Sequence, residues 1–177
     1  EIGPGAGTLT RLMSTRCANV TAIEIDRALK PVLETTLSGC RNVSVIYGDF
    51  LKLDIDALYK ENLYPGFKVV ANIPYYITTP IIMRLLESGL PYKSITVLVQ
   101  REVALRMAAL PGTPQYGALS CAVQYYTLPA LKSRHSPGSF YPPPKVESQV
   151  ITLIKRETPP VEGQDSQLDF KVLKCAF

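Results

Sequence analysis

Apolar, β-branched stretches recur along the first hundred residues at Val20–Ile25, Val43–Tyr47, Phe67–Ala71 and Ile95–Val99, with amphipathic stretches such as Leu29–Leu37 and Pro80–Glu87 between them. Strands this apolar predict burial on both faces, hence a parallel sheet covered by helices that also serve as the crossovers. The fold class predicted is α/β, a Rossmann-like and mostly parallel doubly wound sheet. The rhythm changes at Pro111-Gly-Thr-Pro114, which breaks the chain. A short helix is predicted around Tyr116–Gln124, then two β-like stretches, Leu128–Arg134 and Gln149–Lys155. The loop between those two carries no helical pattern, so they are expected as an antiparallel hairpin at the sheet's edge. Residues 157–167 read as a polar linker and 168–177 as the start of a C-terminal helical domain, leaving 1–156 as the main domain. Both ends of the chain read as cut.

Hydrophobic residues are 46% and charged residues 19% of the 177, a balance that excludes a disordered chain. No apolar run approaches the length of a bilayer span, so no membrane association is expected. The cysteines, Cys17, Cys40, Cys121 and Cys175, form no metal-ligand spacing. They are expected to be free thiols in a reducing, cytoplasmic setting, with no zinc. The net charge is only +4, but its distribution is uneven. Residues 1–88 carry nine basic and nine acidic side chains; residues 89–156 carry eight basic against Glu102 and Glu147. Arg101, Arg106, Arg134 and Lys145 in that second stretch are candidate contacts to a polyanion.

The chain opens on Glu1-Ile-Gly3-Pro-Gly5-Ala-Gly7-Thr8, which reads as a strand end turning into a helix. Glycines there allow tight turning and close backbone approach to a ligand. The spacing G-x-G-x-G is neither the dinucleotide fingerprint, whose third glycine would fall at Thr8, nor a P-loop. Glu24 ends the next strand, where a carboxylate can accept both hydroxyl protons of a ribose. Asp26 is a candidate helix cap. Asp49, after the third strand, can accept from an adenine amine or simply stabilise a turn. Together these residues describe a pocket for an adenosine-bearing cofactor without identifying which one.

After the fourth strand comes Asn72-Ile73-Pro74-Tyr75-Tyr76. The lone pair of an adenine exocyclic amine is delocalised, so the nitrogen is a poor nucleophile. Two acceptors aimed at its hydrogens, the Asn72 side-chain carbonyl and the Ile73 main-chain carbonyl, would favour a tetrahedral nitrogen. Pro74 would preorganise them. Tyr75 offers a ring face for an extruded base, and Tyr76 reads as a core residue. Such chemistry requires neither a strong base nor a metal.

On these residues the chain closely resembles the KsgA/RsmA family of ribosomal small-subunit RNA adenine dimethyltransferases. Glu1–Thr10 is similar to the family's cofactor loop and Asn72–Ile82 to its N-[LI]-P-Y-Y signature; Val99–Met107, Pro111–Ser120 and Pro137–Ser148 match as well. The resemblance implies a class I S-adenosylmethionine-dependent methyltransferase fold. S-adenosylmethionine would be held by Gly3, Glu24, Asp49 and Asn72, with Gly5 and Gly7 shaping the loop and Phe50 flanking the adenine. Tyr75 and Phe140 would sandwich the target base. The implied substrate is a pair of adjacent adenines near the 3′ end of small-subunit ribosomal RNA in an assembling 30S-type particle, and a monomeric enzyme is expected. The family also has a segment before the glycine loop and a helical domain after the linker.

Two rivals stay open. One is the related resistance enzyme acting on an adenine of large-subunit ribosomal RNA, which shares the Asn-Ile-Pro-Tyr site. The other is a non-catalytic nucleic-acid-binding relative. The sole histidine, His135, is expected at the surface or facing RNA rather than in catalysis.

Overall fold

The computed structural model describes residues 1–158 and 160, and the chain divides into two compact units, Glu1–Tyr92 and a second from Lys93 onward. The segment expected as the start of a helical domain, 168–177, lies outside the described residues, as does most of the expected linker.

The first unit holds the expected parallel sheet. Strand β1 (Val20–Glu24) runs parallel to β2 (Val43–Tyr47) with Glu24 opposite Tyr47. Ile2 bridges in parallel to Ile23 of β1 and to Ala71 of β3 (Lys68–Ala71), so the segment leading into the glycine turn passes between those strands. Helices α1 (Thr8–Ser14), α2 (Lys30–Thr36) and α3 (Ile55–Asn62) make the crossovers, and α4 (Tyr75–Glu87) follows β3. Ala22, Ile23, Leu33, Leu58, Val69, Ile82 and Leu85 form the core, each less than a tenth exposed. Asp26 caps the 3-10 turn Arg27–Leu29 by accepting from Ala28 N at 2.8 Å.

Helix α4 begins five residues before the expected start, because Pro80 lies inside it rather than at its head. Proline has no N–H for the carbonyl of residue 76, and Tyr76 is 86% exposed, on the solvent side of the helix. Tyr76 is therefore not a core residue, contrary to its apolar surroundings in the sequence. Buried Ile81, Ile82, Leu85 and Leu86 hold the rest of the helix. Helix α3 carries only a short apolar face in a polar stretch; Asp54 starts it by accepting from Asp56 N and Ala57 N, both at 3.0 Å.

The second unit is antiparallel. Strands β4 (Ser94–Gln100), β5 (Thr127–His135) and β6 (Ser148–Lys155) lie in the order β4-β6-β5, with α5 (Arg101–Met107) and α6 (Ala118–Tyr126) between β4 and β5 in sequence. The expected β5–β6 hairpin is present, but β6 is an inner strand paired on both sides, and only β5 lies outside it. β4 alternates in burial: Ile95 and Val97 face inward opposite Leu153 and Ile151, while Thr96 on the other face meets Thr152 hydroxyl to hydroxyl at 3.1 Å. A bulge shifts the β5 register between Leu131 and Arg134. Gln124 donates from α6 to the carbonyls of Met107 and Ala109 at 3.1 and 2.7 Å, tying α6 to the end of α5.

Cys17, Cys40 and Cys121 are free thiols. Among the described residues no helix is long and apolar enough to cross a membrane.

Gly7 tests the local logic of the first unit. It starts α1 at φ +81°, and a Cβ there would stand 3.0 Å from Leu33 Cδ2. Gly7→Ala is expected to lower stability by about 2–3 kcal/mol, from left-handed strain plus the clash. Urea denaturation checks this; an unchanged midpoint would mean that the turn relaxes freely.

Candidate functional site

The parallel strands of the first unit end in a row. Gly3 N donates to Ile23 O at 2.9 Å, and Gly48 N to Glu24 O at 2.8 Å, so the turns after Ile2, β1 and β2 sit side by side. Ile2 also neighbours Ala71, which places Asn72 next to Gly3. Across the carboxyl edge the sequence candidates therefore stand in the order Asp49, Glu24, Gly3, Asn72. Three inter-strand spacings give a row of about 14 Å.

Glu24 is the best-held member. It is 5% exposed, and each carboxylate oxygen accepts a main-chain N–H: Oε2 from Gly5 at 3.1 Å, Oε1 from Asp26 at 2.9 Å. Carboxylate oxygens have further lone pairs, so these bonds fix the group without exhausting it. Gly3, Gly5 and Gly7 all adopt positive φ, at 71°, 56° and 81°. A Cβ at Gly5 would meet nothing within 4 Å, so the loop presents open space there, whereas Gly3 backs onto Ile73 Cγ2 at 3.4 Å. At the head of the loop the Glu1 carboxylate accepts from the buried Thr10 hydroxyl at 2.5 Å; burial raises its pKa above the ordinary value, and that hydrogen bond partly offsets the rise.

Asp49 is part of a turn. Its Oδ1 accepts from Leu51 N at 3.0 Å, and Lys52 approaches Oδ2 at 3.6 Å. This turn is clamped by a residue that the sequence reading missed. Arg84 of α4 donates to the carbonyls of Leu51 and Leu53 and lies over the Phe50 ring at 5.9 Å. A solitary arginine on an otherwise apolar helix was the available signal. Phe50 itself is 6% exposed and lines an apolar cavity of about 40 Å³ with Ile2, Ile23 and Leu58. Its ring packs into the core beside the row.

Asn72 is exposed, and its side chain has no hydrogen-bond partner among the described residues. Ile73 is buried at 4%; Pro74 caps α4 at φ −55°, ψ 139°, and its carbonyl accepts from the Thr78 hydroxyl at 3.1 Å. Tyr75 is half-buried on the first turn of α4. The motif is thus anchored by its second residue and open at its first.

The family model for ribosomal RNA adenine dimethylase matches residues 1–177. The chain belongs to that family. It is 50% identical over 179 residues to the ribosomal RNA small subunit methyltransferase A of Alkaliphilus oremlandii (strain OhILAs), covering 100% of this chain and 62% of that protein. The chain thus spans less than two thirds of the curated relative's length. A solved dimethyladenosine transferase from Plasmodium falciparum matches at TM-score 0.75 and 30% identity, over 88% of this chain and 55% of that one. The solved 23S rRNA methyltransferase ErmE matches at TM-score 0.78 and 30% identity, over 98% of this chain and 67% of that one. The Rossmann-like methyltransferase fold expected from the sequence is borne out.

The dimethylase motifs of the second unit are placed more locally. Phe140 closes the 3-10 turn Pro137–Ser139 half-buried, its ring edge toward His135 with centroids 6.5 Å apart. His135 in turn bonds the Ser133 hydroxyl at 2.9 Å. The four proposed RNA contacts divide into two kinds. Arg134 donates to Glu147 Oε1, and Arg101 Nε lies 3.8 Å from Glu147 Oε2, with Arg101 N also donating to Glu147 O at 2.9 Å. Arg106 and Lys145 are exposed, without a carboxylate partner among the described residues. Arg156, counted in the basic stretch, is spent on the carbonyls of Gln124 and Thr127 at 2.9 and 3.3 Å. Glu147 was the residue missed here; as one of only two acids in a basic stretch it stood out.

The hydrogen bond from Arg134, aided by the charges of Arg134 and Arg101, holds Glu147 below the ordinary carboxylate range. A depressed pKa stabilises the fold above the unfolded value, and that contribution is lost as pH falls through the folded one. As pH falls below the ordinary carboxylate range the ion pairs therefore open, and Glu147→Gln is expected to remove this part of the acid sensitivity. Carboxyl NMR titration checks the order; a Glu147 midpoint at or above the ordinary value would contradict it.

Proposed function

We propose that the protein carrying this chain is an S-adenosylmethionine-dependent enzyme that dimethylates N6 of two adjacent adenines near the 3′ end of small-subunit ribosomal RNA. It acts in the cytoplasm, as a monomer, on an assembling small subunit. The observation that carries the reading is the row Asp49, Glu24, Gly3, Asn72 on one sheet edge, in a chain of the dimethylase family.

The residues present fit the cofactor. The open backbone at Gly5 admits a ligand against the loop. Glu24, immobilised by two N–H groups, accepts from ribose hydroxyls, and Asp49 accepts from the adenine amine. When bound, S-adenosylmethionine supplies an electrophilic methyl group. The chain's part is to position and polarise the nucleophile. The Asn72 side-chain oxygen and the Ile73 carbonyl accept the two hydrogens of the target amine, drawing its lone pair out of conjugation. Buried Ile73 and the fixed φ of Pro74 hold the backbone that carries both acceptors, so the Ile73 carbonyl in particular needs little reorganisation as charge develops. Tyr75 stacks on the base. Phe140 is assigned to the base on the family motif alone. The proton lost after alkylation is acidic and leaves to solvent.

The large-subunit enzyme is the second reading, favoured by the ErmE likeness. The two structural matches are nearly equal, so the fold does not separate them. The 50% identity along the whole chain supports the small-subunit substrate.

Mass spectrometry of small-subunit RNA, after incubation of assembling particles with the full-length protein and methyl donor, is expected to show two adjacent dimethyladenines; a single modified large-subunit adenine would reverse the assignment. Asn72→Ala should lower turnover by at least about 100-fold with RNA affinity kept, on the scale of losing one preorganised acceptor. Glu24→Gln should chiefly weaken cofactor binding, read by calorimetry; an unaltered Kd would remove Glu24 from the pocket.

A further inference from the structure

The first unit has a second concave feature, away from the row just described. A groove of about 550 Å³ runs between α1 and the end of α2, lined among others by Arg11, Ser14, Thr15, Thr35 and Ser38. Four of its hydroxyls share one property. Ser14 donates to Arg11 O at 2.7 Å, Thr15 to Leu12 O at 2.8 Å, Thr35 to Pro31 O at 2.9 Å and Ser38 to Thr35 O at 3.0 Å. Every one of these protons is already committed to the main chain, so toward a ligand the hydroxyls present lone pairs.

Beside these acceptors stand arginines. Arg11 lines the groove; Arg16 follows Thr15, and Arg41 lies between Cys40 of the groove wall and Asn42. All three are exposed, and none has a carboxylate partner among the described residues. The carboxylate nearest in sequence to the lining, Glu34, faces Lys30 at 3.9 Å. The arginines are not needed to satisfy the end of α1, because the Asn42 amide already donates to Ser14 O and Cys17 O at 2.9 and 2.8 Å. The same bonds fix Arg41's loop against α1.

Exposed guanidinium groups in and beside a groove of hydroxyl acceptors match a chain that alternates phosphate with a donor hydroxyl, which is the ribose-phosphate backbone of RNA. We propose that this groove is a second RNA-backbone site, separate from the base-binding edge. Arg11, Arg16 and Arg41 take phosphates there, and the Ser/Thr oxygens accept from 2′-hydroxyls. Its lower end adjoins the amino ends of β1 and β2, as Val20 N donates to Asn42 O at 2.9 Å. A five-residue strand therefore separates this lower end from the carboxyl row by about 15 Å, while Thr8 carries the upper end toward the glycine loop. It would grip RNA flanking the target rather than the target itself. The proposal rests on the enzyme's substrate being RNA.

The test uses the full-length protein and a small-subunit RNA hairpin with a single-stranded adenine loop, against a DNA hairpin of the same sequence. Arg11→Gln/Arg16→Gln/Arg41→Gln should weaken RNA binding at least about tenfold and reduce the slope of log K against log[salt] by about two to three. The triple lysine variant should restore the slope. Cofactor affinity by calorimetry, and methyl transfer to a short unstructured adenine-containing RNA, should stay unchanged in both variants. Wild-type protein should bind the RNA hairpin more tightly than the DNA, and the glutamine variant should narrow that gap. An unchanged salt slope in a variant that still binds cofactor would overturn the site, and equal RNA and DNA binding by the wild type would overturn the role of the hydroxyls. Failure of the functional reading itself looks different: the wild type would then transfer no methyl group to any RNA.

Discussion

One buried carboxylate organises the first unit's functional edge. Glu24 closes β1, yet its two oxygens reach in opposite directions, to Gly5 on the glycine loop and to Asp26 at the next turn. A buried charge is tolerable only when hydrogen-bonded, and here the donors are main-chain groups that cannot rotate away. The cost of burying the charge is thereby tied to the shape of the loop. Without the left-handed turns at Gly3, Gly5 and Gly7 the N–H groups would point elsewhere, and without the carboxylate those turns would lose their reason to hold.

The two other turns of the row are held by different means. The loop after β2 is clamped from outside by Arg84, whose guanidinium takes two carbonyls. The Asn72 turn is held from beneath, by the buried Ile73 side chain against Gly3. Both devices immobilise the backbone that carries the site's polar groups without drawing on those groups themselves, which is what electrostatic preorganisation requires. In the second unit Glu147 sets the geometry of Arg101 and Arg134, at the expense of part of their charge.

Much of this was legible in the amino-acid order. Strand positions follow from β-branched runs, and β2 falls on the residues expected. The row of Gly3, Glu24, Asp49 and Asn72 follows from the topology of a parallel sheet, because whatever ends such strands must gather on one edge. What was not legible depends on partners distant in sequence. The Phe50 ring is covered by Arg84, which comes from a helix more than thirty residues away in the sequence. Arg101 and Arg134 look like free cations until β6 brings Glu147 to both. Tyr76 looks apolar in context, yet helical phase turns it outward. The helix start at Tyr75 was hidden because a proline normally marks a first turn, whereas Pro80 sits a turn later.

That proline divides α4 into two stretches with separate liabilities. The body, fastened by Ile81, Ile82, Leu85 and Leu86, answers to packing, so replacements there register as changes in folding. The head, bearing Tyr75 and the exposed Tyr76, lacks one rung of the helical ladder and is bound mainly through Pro74 and Thr78. Replacements at the aromatic head are therefore separable from those in the hydrophobic body, and the side chains at positions 75 and 76 can change without rebuilding the scaffold beneath.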